Sequence, residues 1–193
     1  PSYTALRQFV RVGGLESDLE IQQLMLQSLS LLGIKGVHLD LGHVGVFRAL
    51  AQHARLDKDI ETELFAALQA KDAAVLRDRV QPLDAGLRAA LLTLPTLYGD
   101  CAEVLARART ELPGYPEIRA ALAELETVSG KLRPMASSVG IDLADLRGYH
   151  YHSGMVFAAY HPGSHDAIAL GGRYDDVGKS FGRARPATGF SMD

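Results

Sequence analysis

Between residues 147 and 152 the chain reads Arg147-Gly148-Tyr149-His150-Tyr151-His152. Four ring side chains with polar handles stand in a row beside a guanidinium. Phenol and imidazole groups hydrogen-bond a small polar ligand while their rings supply contact area. Arg147 can pair bidentately with a carboxylate or a phosphate. On an extended backbone Tyr149 and Tyr151 share one face, and His150 and His152 the other. The same residues equally fit a strand with one face on helices and the other in water, so composition leaves the two readings level. His150 and His152 are spaced i, i+2, with His161 and His165 across a hairpin. A zinc site wants three or four ligands and an outer shell that orients them. Nothing in this spacing fixes that geometry, so no metal is expected.

Two further groups follow. Gly171-Gly172-Arg173-Tyr174-Asp175 puts two glycines at a strand end, where they turn the chain or let its backbone approach something closely. The pattern matches neither a phosphate loop nor a dinucleotide fingerprint. Lys179, Arg183 and Arg185 stand among Gly178, Ser180 and Gly182, which suits an anion-binding loop and a solvated loop alike.

These residues need a scaffold. The chain has 193 residues, 47% of them hydrophobic and 22% charged, ordinary for a globular protein with a real core. A net charge of -3 argues against a general nucleic-acid surface. Basic residues interrupt every apolar stretch, so no membrane span is expected. There is no signal-peptide pattern, and Cys101 is the one cysteine, which excludes an internal disulfide and points to an inert thiol in a reducing cytoplasm. Pro1 opens mid-phrase and Asp193 follows a strand-like run, so the chain reads as the middle of a longer one.

Local patterns predict the elements. Ser17-Asp18-Leu19-Glu20 reads as a capping box. The helix after it should bury Ile21, Met25, Leu29 and Leu32 and stop at Gly33. Val37 to Leu41 alternates as a half-buried strand that Gly42 ends, and Val44 to Arg55 returns to helical spacing. From Leu56 to Gly140 nearly everything is helical: Asp57 to Gln69, Asp72 to Val80, Asp84 to Leu94, Cys101 to Leu112 and Glu117 to Val139. Prolines and glycines at Pro82, Pro95, Gly99, Pro113 and Pro116 separate these helices. The segment looks like an all-helical insertion beside a sheet. From Ile141 the pattern is β again. Met155 to Tyr160 and Ala167 to Leu170 form a hairpin, the second strand apolar enough for burial on both faces, and Pro186 to Ser191 is a last strand with a glycine in it. The expected fold is α+β with a mostly antiparallel sheet: 1–55 first part of the core, 56–140 insertion, 141–193 second part.

The order of these pieces is more specific than any one. Arg147-Gly148-x-x-Tyr151 with Val156-Phe157, then Gly171-Gly172-Arg173-Tyr174-Asp175, then Pro186-Ala187-x-Gly189-Phe190, resembles the histidyl-tRNA synthetases. In that family these are the two histidine-recognition motifs and the opening of the third class II motif. Arg7-Gln8-Phe9 is similar to a trace of the second class II motif. The departures are as informative. His150-Tyr151-His152 stands where the family has Asp-Tyr-Tyr, and Ser153-Gly154-Met155 where it has Asn-Arg-Thr. Asp193 replaces a glycine beside the ATP clamp, where an acidic group costs about 1 kcal/mol even when well screened. Leu15 to Glu20, Leu41 to Leu50 and Gly171 to Gly178 resemble instead the regulatory-subunit branch of the family, which joins short-form ATP phosphoribosyltransferase.

The resemblance implies a class II aminoacyl-tRNA synthetase-like core, self-association as a synthetase-like dimer, and a hetero-oligomer with the catalytic ATP phosphoribosyltransferase subunit. It implies no enzymatic activity of the chain's own, no tRNA partner, no cofactor, a place in the first step of histidine synthesis and feedback regulation by histidine. The alternative it leaves is a piece of a histidine-tRNA ligase. By the same resemblance Arg147, Tyr149, Tyr151, His152, Arg173 and Tyr174 bind histidine. The family's glutamate for the amino group falls near Leu15 or Glu16.

Overall fold

The computed structural model describes residues 8–10, 14–164, 166–175 and 186–192. The elements in chain order are β1 (Gln8–Val10), α1 (Leu15–Leu31), β2 (His38–His43), α2 (Val44–His53), α3 (Lys58–Gln69), α4 (Ala73–Arg79), α5 (Ala85–Thr93), β3 (Tyr98–Asp100), α6 (Cys101–Glu111), α7 (Pro116–Leu132), β4 (Ser138–Asp142), β5 (Met155–Tyr160), β6 (Ala167–Arg173) and β7 (Thr188–Met192). They form one seven-stranded sheet in the order β1-β7-β6-β5-β2-β4-β3. Every described pairing is antiparallel except β2 with β4. The fold is α+β with a mostly antiparallel sheet, as the pattern predicts.

Strand alternation gives the sheet two unlike faces. Leu39, Leu41, Val139, Ile141, Phe157, Ala159, Ala169 and Phe190 are buried on the face that α1 and α7 cover. The opposite face carries His38, Asp40, Ser138, Asp142, Tyr160, Leu170, Gly172 and Ser191 across the register. The core joins the buried sheet face to Leu64, Leu68, Leu91, Val104, Leu125 and Leu132 of the helices. No helix among the described residues is long and apolar enough to cross a membrane.

Helix starts in the middle segment follow from four aspartates. Asp57, Asp72, Asp84 and Asp100 each accept from one or two N–H groups of the first turn, at 2.9 to 3.3 Å. Each cap is worth roughly 1 kcal/mol. Helix α1 stops where Gly33 predicts. With φ +79 it lets Ile34 N–H reach Leu29 O and Gly33 N–H reach Ser30 O, both at 3.0 Å, a paired closure of the last carbonyls.

Other local expectations give way to tertiary contacts. The capping box is not one: α1 starts at Leu15 behind Gly14, and Ser17 lies buried inside the first turn. Leu32, expected to be buried, is 67% exposed just past the end of α1. Gly42 does not end β2, which runs on to His43 opposite Met155. The last middle helix stops at Leu132 rather than Val139. Ser138–Asp142 is instead drawn into the sheet between β2 and β3, so Val139 and Ile141 point to the core by strand alternation. Tyr98–Asp100 adds a second strand to a stretch read as helical. Strand β6 is not buried on both faces, since Leu170 is 37% exposed. Gly171 and Gly172 lie within β6 rather than after it. A Cβ on Gly171 would meet the Phe157 ring at 2.3 Å, so the glycine permits close strand packing.

Candidate functional site

Residues 147–152 form a turn, not a strand, and this redistributes the ring side chains. Gly148 at φ +65 makes the reversal, and its carbonyl accepts from Tyr151 and His152 N–H at 2.7 Å. Arg48 of α2 then fixes the turn from below. Its guanidinium donates to the carbonyls of His152 at 3.0 Å and of Tyr149 and Ser153 at 3.4 Å. Backbone carbonyls gathered on one cation hold a loop without regular pairing.

His152 therefore lies on the open sheet face. Its Nδ1 is 2.8 Å from Arg147 O, and its ring centroid is 4.4 Å from that of Tyr174. Gly148 and Gly172 bracket the ring: a Cβ on either would come within 2.6 to 2.9 Å of it. Burial holds the His152 pKa below its usual value, with the Arg147 carbonyl opposing. A carbonyl only accepts, so Nδ1 carries the proton and Nε2 the lone pair. Nε2 is buried with no hydrogen-bond partner among the described residues.

The six expected site residues separate. His152 and Tyr174 come together. Arg147 is nearby through its carbonyl, but its guanidinium turns to Asp145, with Nε–Oδ1 2.8 Å and Nε–Oδ2 3.0 Å, and stands over the Tyr160 ring. Burial lowers the Arg147 pKa, yet the Asp145 carboxylate outweighs it and the group stays firmly charged. A groove of about 250 Å³ beside it is lined by Asp40, Gln69, Lys71, Asp142, Arg147 and Tyr160. Tyr151 is 67% exposed. Tyr149 points into the core between Phe47 and Phe65, and its hydroxyl donates to Glu61. Burial first, then Glu61, pushes that phenol above its usual pKa.

Arg173 points through the sheet to the helix side. It donates to Asp18 Oδ2 from Nε at 3.0 Å and from a terminal nitrogen at 2.6 Å, and also to Gly14 O. Asp18 is 1% exposed. Burial raises its pKa, and Arg173 opposes the rise. Gln22 and the His43–Glu124 pair lie buried or part-buried on the same side of the sheet. Sequence reasoning missed Asp18 because the capping pattern explained it, and missed Arg48 because one arginine in an amphipathic helix reads as solvated. It also missed a row at the outer strands. His38 lies between Ser138 Oγ at 2.7 Å and Asp40 Oδ1 at 2.8 Å, lining a cleft of about 440 Å³ with Tyr98 and Asp100. The i, i+2 spacing of His38 and Asp40 was its only sequence signal.

Cys101 is buried and donates to Val139 O at 3.0 Å. Burial raises its pKa, which suits an inert thiol. Among the described residues no group of three or more His, Cys, Asp or Glu is placed to hold a metal ion. The loop cations Lys179, Arg183 and Arg185, His165, Arg7 and the acidic Asp193 lie outside the described residues.

Comparison with known proteins fits this architecture. The ATP phosphoribosyltransferase regulatory subunits of Nitrosospira multiformis and Nitrosomonas eutropha are each 60% identical over 93% of this chain and 47% of their own. The chain thus spans about half the length of the curated relatives it matches. A Bacillus halodurans structure described as an ATP phosphoribosyltransferase regulatory subunit/histidyl-tRNA synthetase superposes with TM-score 0.82 at 26% identity, over 97% of this chain and 50% of that one. The ATP phosphoribosyl transferase (HisG:HisZ) complex of Thermotoga maritima shares the fold, with TM-score 0.71 and 21% identity over 97% and 64% of the two chains. A sequence model described as histidyl-tRNA synthetase matches residues 9–193. That match runs from β1 through the motif residues of the open sheet face to the last residue, and so the chain belongs to the histidyl-tRNA synthetase family.

Proposed function

We propose that the full-length protein is a non-catalytic regulatory subunit of short-form ATP phosphoribosyltransferase, acting in the first step of histidine synthesis. The observation that carries this reading is the 60% identity, over nearly the whole chain, to relatives bearing that name. Its departures from the synthetase motif support it: His152 stands where the synthetases carry a tyrosine, and Asp193 where they carry a glycine. The protein forms a hetero-oligomer with the catalytic transferase subunit, self-associates as a synthetase-like dimer, and works in the cytoplasm. The Thermotoga maritima neighbour, a complex by its own description, is consistent with the first of these.

In this reading histidine is the effector and binds the open face at His152 and Tyr174, within reach of Arg147 and Tyr151. Arg173 and Tyr149 support the pocket from the far side of the sheet and from the core. Histidine favours one state of the assembly and so shifts the partner's equilibrium by linkage. The test is reconstitution of the full-length protein with a short-form catalytic subunit. Transferase activity that depends on the added protein and falls with histidine is expected. Unchanged activity and unchanged histidine response would sink the proposal. Histidine-dependent pyrophosphate exchange into ATP would replace it with the ligase reading.

A further inference from the structure

The His152 ring is seated in a slot of its own shape. Gly148 and Gly172 form two walls, each so close that a Cβ would collide with the ring, and Tyr174 forms a third. One polar bond, Nδ1–H to Arg147 O, orients it. The other nitrogen is buried over Gly172 and has no donor among the described residues. An acceptor buried without a donor is held at a cost, because water would have satisfied it. The slot therefore fits a planar five-membered ring with one N–H, but its present occupant leaves a polar atom unmatched among the described residues.

We infer that His152 is an internal occupant of an imidazole seat, and that it competes with free histidine for that seat. The inference rests on the histidine pocket proposed above and goes beyond it: His152 is an obstacle to the ligand rather than one of its contacts. When the ring swings out, Nε2 regains solvent, and a ligand imidazole donates to Arg147 O in its place. The exchange is like for like in shape, and the free amino acid brings its ammonium and carboxylate besides. Apparent affinity is then reduced by the fraction of molecules whose seat is open.

The test is calorimetric titration of L-histidine into the full-length protein at pH 8, comparing wild type with His152→Ala and His152→Asn. The alanine empties the seat. The asparagine empties most of it with a shorter polar side chain in place of the ring. Both variants are expected to bind histidine at least about tenfold more tightly, which corresponds to a seat closed in about 90% or more of wild-type molecules. Nitrogen-detected NMR of the wild type should show the His152 resonances moving to solvent-like values at saturating histidine. Affinity that is unchanged or weakened in both variants overturns the inference and leaves the pocket reading standing. No binding by wild type or either variant at millimolar histidine overturns both. Should neither variant fold, the NMR titration decides, and static His152 resonances at saturation refute the exchange.

Discussion

Arg173→Met is the most demanding perturbation of this fold. Arg173 and Asp18 make an ion pair that is almost dry, with side chains 13% and 1% exposed. The two share two hydrogen bonds at 2.6 and 3.0 Å, and the arginine also satisfies Gly14 O at the start of α1. Methionine fills similar volume but leaves Asp18 charged and unpaired, with its Oδ1 already lacking a partner among the described residues. Breaking one side of a buried pair costs about 3–5 kcal/mol. With a urea m-value of about 1–3 kcal/mol/M, the midpoint should fall by roughly 1–5 M. The double variant Asp18→Leu/Arg173→Met should recover most of the loss, since two apolar groups need no partner. The pH dependence has a definite sign. Burial already raises the Asp18 pKa, and Arg173 restrains it. Removing Arg173 raises it further, so the folded variant takes up a proton before the unfolded chain does. Its deficit should therefore shrink as pH falls toward the unfolded value near 4. Urea titrations of wild type, both single variants and the double, at pH 7.5 and pH 5, give the full cycle. A loss under about 1 kcal/mol for Arg173→Met, or a deficit that grows on acidification, would falsify the assignment of a buried, mutually dependent pair.

Arg48→Met should loosen the turn at 147–152 by freeing three carbonyls, so amides from Gly148 to Ser153 should exchange hydrogen at least about tenfold faster while the helix α2 amides before position 48 keep their protection. Leu29→Ala should cost about 2–5 kcal/mol, because the side chain is 1% exposed. Leu32→Ala, three residues on at 67% exposure, should stay within about 0.5 kcal/mol, and equal losses in chemical denaturation would contradict the helix end at Leu31. His152 titrates below its usual pKa through burial, so its neutral, seated form adds stability that is complete above about pH 6.5 and is lost as pH falls through that value toward the lower folded one. His152→Asn should therefore lose less stability than wild type between pH 8 and pH 5.5, by urea midpoint.

The sequence showed most of what is local. Three aspartates, Asp57, Asp72 and Asp84, marked three helix starts, Gly33 marked a helix end, and the run 155–160 matched its strand residue for residue. What failed was decided by partners far along the chain. Val139 continues the apolar spacing of α7, and only pairing with β2, a hundred residues earlier, makes it part of a strand. Ser17-x-x-Glu20 has the composition of a cap, but Asp18 inside it is held by Arg173. The row at 149–152 alternates perfectly in sequence. A left-handed Gly148 and the reach of Arg48 turn it instead, so Tyr149 goes to the core and His152 to the open face. Motif order grouped His152 with Tyr174, and their rings are neighbours at 4.4 Å. It could not say that Arg173, one residue from Tyr174, serves the opposite side.

That opposition is itself a coupling. Successive residues of an extended strand point to opposite faces. Arg173 is tied down to the first turn of α1, and Tyr174 next to it stands against the His152 ring. Ser153 closes the link, since its N–H donates to Arg173 O at 2.9 Å and its hydroxyl accepts from Asp175 N–H at 3.0 Å. The turn that seats His152 and the strand end that carries Tyr174 therefore move as one piece, anchored below by a buried ion pair. A shift of α1 that altered the Asp18–Arg173 distance would displace the Gly148 and Tyr174 walls of the proposed imidazole seat together. By the same reasoning a ligand that expels His152 does work on that strand end, and α1 is the first element placed to receive it. Packed elements respond to such work in discrete steps rather than by smooth deformation.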